Sequence, residues 1–144
     1  MEEYVMEIGY EAVADEVYAL AALRYVSAGD AGDVRPALLT RGHGELLRAA
    51  VSDQFAMLAA ELIRLVDDVD TDGMRLTLRS GAVFPPGAVT ALRRGLEHVL
   101  AMRVMESALS GSDAARYASA AEAAMVSLRV MMAGSVPLRR QCHL

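Results

Sequence analysis

The sequence predicts an all-α protein: an up-and-down four-helix bundle with a short strand or hairpin between its second and third helices. Three observations point there. The composition is 54% apolar and 23% charged, but only 5% aromatic with no Trp, so the core must be built from Ala, Leu, Val and Met, and Ala and Met favour helices. Apolar residues recur at steps of three and four in four separate segments, the spacing of one helix face. The breaks between those segments suit neighbouring antiparallel helices. At 144 residues the chain is long enough for one domain with a real core, and a single domain, 1–144, is expected.

The first helix is predicted over about 3–27. Met6, Tyr10, Val13, Val17 and Leu20 share one face, and Glu7, Glu11 and Asp15 line another. Like charges at that spacing cost roughly a few tenths of a kcal/mol each, so this second face is expected to meet solvent or a basic partner. "SAGDAGDVRP" (27–36) breaks the helix with two Gly, two Asp and a Pro, and "ALLTRGHG" continues as a loop or short turn. The second helix, about 44–69, has the cleanest stripe: Leu47, Val51, Phe55, Leu58, Leu62, Leu65 and Val69. That is a continuous buried face packed on other helices.

The period then changes. Over 74–79, Met74, Leu76 and Leu78 alternate with Arg75, Thr77 and Arg79, a strand signature. A lone strand leaves backbone donors and acceptors unpaired. It is expected to pair with "AVF" beyond Ser80–Gly81, with the segment near Val34, or with another chain. Pro85 and Pro86 suit the start of the third helix, about 87–109. Its inner side is marked by Val89, Leu92, Leu96 and Val99, then Met102, Val104 and Met105. "SGSD" (110–113) offers Ser112 or Asp113 as a cap. The fourth helix, about 113–133, carries Tyr117, Ala121, Ala124, Leu128 and Met131. Gly134 and Pro137 end it, leaving a tail over 134–144.

All fourteen basic residues are Arg. Without Lys there is no Walker lysine, no lysine Schiff base and no Ser-x-x-Lys pair. Net charge is −5, divided between an acidic first half (15 acids, 5 Arg in 1–72) and a basic second half (4 acids, 9 Arg in 73–144). The acidic balance argues against nucleic acid as a partner, and the asymmetry suits attraction within one fold or between two copies. No apolar run is long enough to span a bilayer, so no membrane partner is expected. "MEEYVMEIGYE" is acidic where a secretory signal starts basic. With a single cysteine, Cys142, no internal disulfide can form, and a cytoplasmic location is expected.

The stretch "DDVDTDG" (67–73) resembles the first half of a calcium loop: Asp68, Asp70, Asp72, Gly73. Such a loop needs a bidentate Glu at its twelfth position, which here is Arg79, and its eighth is Arg75. The acids are therefore read as the charged end of the second helix, with Arg75 or Arg79 compensating, and as a surface able to meet a basic partner. A di-iron site requires Glu-x-x-His on two helices, and the chain has none. His43, in the loop "RGHG", could serve a ligand or stand exposed. His98 is expected to be a partly buried, hydrogen-bonded imidazole. Cys142 and His143 sit on the tail, and no zinc spacing is present. No G-x-G-x-x-G, G-x-S-x-G or H-E-x-x-H occurs. No catalytic, cofactor-binding or metal-ligating residue is assigned, and no cofactor is expected.

One stretch carries a resemblance: "LTLRSGAVFPPGAVTALRRGLEHVLAMRVMESAL", continuing through "ARYASAAEAAMVSLRVMM" to "VPLRR". This order of strand, proline-bearing helix start, amphipathic helix, Tyr-led helix and Arg-rich tail resembles small uncharacterised helical proteins of bacterial prophage-like and transposable-phage-like elements, over about residues 74–140. Where those proteins end the third helix with a Trp-Leu pair, this chain has Glu106 to Leu109. The resemblance implies a virion-assembly or accessory role, and it carries no catalytic residue over to this chain.

The expected function is thus non-enzymatic protein–protein interaction or assembly, with a protein partner or a second copy and a homo-oligomeric state. The alternative is a small-molecule-binding helical regulator. The candidate partner contacts are Asp67, Asp68, Asp70 and Asp72, together with Arg75, Arg79, Arg93, Arg94, Arg139 and Arg140.

Overall fold

In a computed structural model of the protein, residues 2–27, 36–80, 84–85 and 87–133 are described. They form, in order, strand β1 (Glu2–Glu7), helix α1 (Tyr10–Ser27), two 3-10 turns (Ala37–Leu39 and Arg41–His43), helix α2 (Gly44–Glu61), strands β2 (Asp68–Asp70) and β3 (Arg75–Ser80), and helices α3 (Ala88–Ala108) and α4 (Gly111–Ala133). The chain is mostly helical, with one small antiparallel sheet of order β1-β3-β2. The all-α expectation is corrected to that extent.

The first predicted helix begins seven residues late, because its opening turn is β1. Met6 fits both periods: it is i−4 to Tyr10, and it alternates with Tyr4 and Ile8. The period-2 reading wins because β3 is there to pair with. Met6 and Ile8 are buried while Glu3, Val5 and Glu7 face out, and Gly9 separates strand from helix. Glu7 therefore does not share the helix face of Glu11 and Asp15, both of which are exposed.

The predicted strand 74–79 is β3, shifted by one residue. It pairs with β1 along its whole length and with β2 through Asp68↔Thr77, Val69↔Leu76 and Asp70↔Arg75. Neither partner was among the expected ones. Of "AVF" (82–84), Ala82 and Val83 lie outside the described residues, as does Val34, and the Phe84 N–H donates to the Tyr4 hydroxyl of β1 at 3.0 Å. Leu76 and Leu78 are fully buried, as the alternation requires.

The second helix ends at Glu61, not Val69. The Leu62 N–H still bonds back to Leu58 (3.0 Å), but the following residues turn, with Leu65 N–H on the Leu62 carbonyl at 2.8 Å. Leu62 remains in the core, and Leu65 and Val69 pack against it from a turn and a strand. Pairing with β3 outweighs helical propensity here, in a segment that mixes β-branched residues with Asp. The acids at 67–72 consequently occupy a β-hairpin, away from a helix C-terminus.

Gly87, in a left-handed conformation (φ 87°), stands before α3, and its carbonyl takes the Ala91 N–H at 2.9 Å. Only Leu109 and Ser110 separate α3 from α4. Gly111 (φ 62°) makes the turn, so α4 starts before both predicted caps, Ser112 and Asp113. The α4 stripe also differs: Ala121, Met125, Leu128 and Met132 are buried, while Met131 is 42% exposed. Steps of four-three-four from Ala121 keep the inward phase, and the alternative ending at Met131 drifts off it.

The core draws on α1 (Val13, Val17), α2 (Val51, Phe55, Leu58), α3 (Leu96, Val99, Leu100) and the inner face of the sheet. Helix α3 is the hub: it packs on α4, α1, α2 and β1, whereas α4 has α3 as its principal neighbour. Leu128 of α4 sits over Gly95 of α3, where an added Cβ would lie 2.6 Å from Leu128 Cδ2.

Candidate interaction surfaces

The hairpin between β2 and β3 resolves the acidic stretch. Asp70 Oδ1 accepts the Gly73 N–H at 3.1 Å, and Asp70 Oδ2 accepts from Arg75 Nη2 at 2.9 Å. The first bond closes the turn from within, as Asp side chains commonly do. A side chain at Gly73 would meet both Asp70 Oδ2 and the Arg75 guanidinium at 2.7 Å, so an added Cβ would displace the ends of this ion pair. The Gly73 N–H and, after it, the Arg75 guanidinium hold the Asp70 carboxyl below the ordinary carboxylate range. Arg75 is the compensating cation, and it stands between Asp70 and Glu7 in the sheet register, an opposite-charge cross-strand arrangement.

Of the predicted contact residues, Asp70 and Arg75 are thus committed to each other. The Asp67 N–H extends the ladder to the Thr77 carbonyl at 2.7 Å, and Asp68 and Asp72 are exposed. Arg79 lies opposite Glu3 in the register. Arg93 and Arg94 are far along the chain on the first half of α3, half-buried and exposed respectively. Arg139 and Arg140 lie outside the described residues.

A groove absent from the sequence reading opens between the starts of α1 and α2. Tyr10, Glu11, His43, Glu45, Arg48 and Ser52 are among its lining residues. Tyr10 donates its hydroxyl to the Gly44 carbonyl at 3.4 Å, and the Arg48 guanidinium lies 4.0 Å from the Tyr10 ring centre, within cation–π range. Burial, then the neighbouring Tyr18, raises the Tyr10 hydroxyl above its ordinary 10.0. His43 stands exposed at the cap position of α2 and makes no side-chain cap bond. The sequence offered the heptad-like position of Tyr10, but nothing that joins residue 10 to residue 48. Farther along α1, Arg41 stacks on Tyr18 at 4.4 Å.

Polar bridges tie the helices together. Arg24 of α1 meets Asp113 of α4 at 2.9 Å, so Asp113 serves as an ion-pair partner in the first turn of α4. Glu61 of α2 pairs with Arg103 of α3 and lies 3.9 Å from Arg129 of α4. His98 Nδ1 pairs with Glu16, joining α3 to α1 as a hydrogen-bonded imidazole.

The outward side of α4 carries three of the exposed large apolar side chains, others being Leu23 on α1 and Met57 on α2. Val126 is 55% exposed, Val130 69% and Met131 42%. The opposite side buries Met125, Leu128 and Met132 in the core, and on the outer side Val126, Val130 and Met131 stand among exposed Ser119, Glu122 and Ser127.

Among the described residues, no group of three or more His, Cys, Asp or Glu could hold a metal ion, and no helix is long and apolar enough to cross a membrane. No protein-family model, curated protein or solved structure matches the chain.

Proposed function

We propose that the protein is a non-enzymatic protein–protein interaction or assembly protein of the cytoplasm, acting as a homo-oligomer. Its helices form a bundle-like platform, and a phage-like structural or accessory component is the most specific form of this reading. The observation that carries it is the outer side of α4, which presents Val126 and Val130 to solvent. Exposed apolar faces of this kind mark protein contacts. The net charge of −5 disfavours nucleic acid as the partner. Light scattering across protein concentration at low and high salt, together with binding to the products of neighbouring genes, tests the reading. Self-association or a neighbour complex is expected. A monomer under every condition that binds none of those products overturns it.

The second reading, a small-molecule-binding regulator, is favoured by the groove at Tyr10 and Arg48, where polar groups converge on an aromatic ring. Thermal-shift screening with small anions and aromatic acids tests it, with protection expected in the wild type and lost in Arg48→Ala.

A further inference from the structure

We propose that the outer face of α4 is covered by α4 of a second copy, packed antiparallel about a twofold axis beside Val126. This deepens the assembly reading and rests on it.

The argument starts from the order of side-chain sizes along the exposed face. Its N-terminal half is small, with Ala120 and Ala123, and its C-terminal half is bulky, with Val130 and Met131; all four are exposed. A parallel pair would set bulk against bulk and leave Ala against Ala. An antiparallel pair centred beside Val126 sets Ala123 level with Val130 of the second copy and Ala120 level with Met131. Both matches hold to within about one residue, or ~1.5 Å of helix rise. Large against small is the arrangement that lets helices approach closely.

Charge selects the same register independently. Glu122 and Arg129 are seven residues apart, so they lie on one flank of the stripe. In an antiparallel pair, equivalent flanks meet. The register that matches the apolar residues brings Glu122 level with Arg129 of the second copy, and the twofold axis makes this contact twice. Glu122 is exposed, and the Arg129 side chain is 40% exposed, with its contact to Glu61 at the long distance of 3.9 Å. Arg129 can therefore turn to the new partner without abandoning a tight pair. Parallel packing would bring no such pair level.

The test is sedimentation equilibrium on the full chain and four variants, each checked for an unchanged helical spectrum and melting profile. Val130→Glu is expected to weaken self-association at least about a hundredfold, and Glu122→Arg alone about tenfold, since every tenfold step corresponds to 1.4 kcal/mol. Arg129→Glu alone is expected to weaken it similarly, and the double variant Glu122→Arg/Arg129→Glu to recover most of the wild-type affinity. A dimer indifferent to Val130→Glu, or a double variant weaker than both singles, overturns this interface while leaving the assembly reading standing. A wild-type monomer throughout the concentration range overturns the self-pairing outright; binding of that monomer to a foreign partner would still preserve the assembly reading.

Discussion

Glu97 of α3 caps α1 from outside: its Oε2 accepts the Gly9 N–H at 2.8 Å, across 88 residues of chain. Glu97 is 7% exposed, the buried charged residue among the described residues. Gly9 stands immediately before α1, and its carbonyl takes the Val13 N–H at 3.2 Å. The first N–H groups of a helix have no partner within it, and an acidic group there also meets the favourable end of the helix dipole. Glu97→Ala leaves the Gly9 N–H without its acceptor and should cost about 1–3 kcal/mol. Glu97→Gln retains an oxygen acceptor and should cost less. Urea unfolding of the three proteins checks the order; equal stability of Glu97→Ala and wild type would show that the cap contributes nothing.

The close approach of Leu128 to Gly95 sets a second expectation. Ala at position 95 would gain about 0.5–1 kcal/mol of helix propensity, but its Cβ would press on a buried Leu128, and overpacking costs about 1–3 kcal/mol. Gly95→Ala should therefore be net destabilising by about 1 kcal/mol. In a Leu128→Ala background the sign should reverse, because the obstructing methyl groups are gone. A double-mutant cycle measured by thermal unfolding reads that coupling directly.

What the sequence revealed and what it concealed divide along physical lines. The stripe Leu47, Val51, Phe55, Leu58 was legible because four consecutive positions obey only the helical period. Met6 was ambiguous because it satisfies two periods, and its choice depends on β3, which lies about seventy residues away. Val69 obeyed the helical phase and still became a strand residue, since pairing with Leu76 is a tertiary event. The Asp70–Arg75 pairing was legible as a compensating cation near the acids, but the hairpin that aligns the two was not. The groove at Tyr10 and Arg48 and the cap from Glu97 join residues far apart in the chain, and no local pattern announces such contacts.

Asp70 should titrate below the usual carboxylate value. Its folded pKa is lowered from 3.8, chiefly by the Gly73 N–H and then by Arg75. A depressed folded pKa means that the contribution to stability is present above the unfolded value and fades as pH falls below about 3.8 through the lower, folded one. Carboxyl-carbon NMR titration should place the Asp70 midpoint below 3.8. Asp70→Asn should remove this contribution to the acid limb of stability and move the Gly73 amide resonance.

Tyr10 gives the opposite limb. Burial, then Tyr18, raises its hydroxyl above 10.0. The neutral form is the one favoured in the fold, so its stabilisation is complete below the unfolded value and is lost as pH rises through the higher, folded one. Ultraviolet difference titration should show a late-ionising component above 10.0 that is lost in Tyr10→Phe. An unchanged titration curve in that variant would assign the late group elsewhere.

Neighbouring methionines on α4 supply the sharpest contrast. Met132 is fully buried and Met131 is 42% exposed, although the sequence periodicity alone assigns the core position to Met131. Met132→Ala removes packed side-chain volume from the core and should cost about 2–5 kcal/mol. Met131→Ala lies on the outer face and should stay within about 0.5 kcal/mol of wild type in the monomer. Denaturant midpoints at low protein concentration measure both. A reversal of the two effects would mean that α4 is rotated by about one residue, some 100°, from the orientation that buries Met125 and Leu128 against α3.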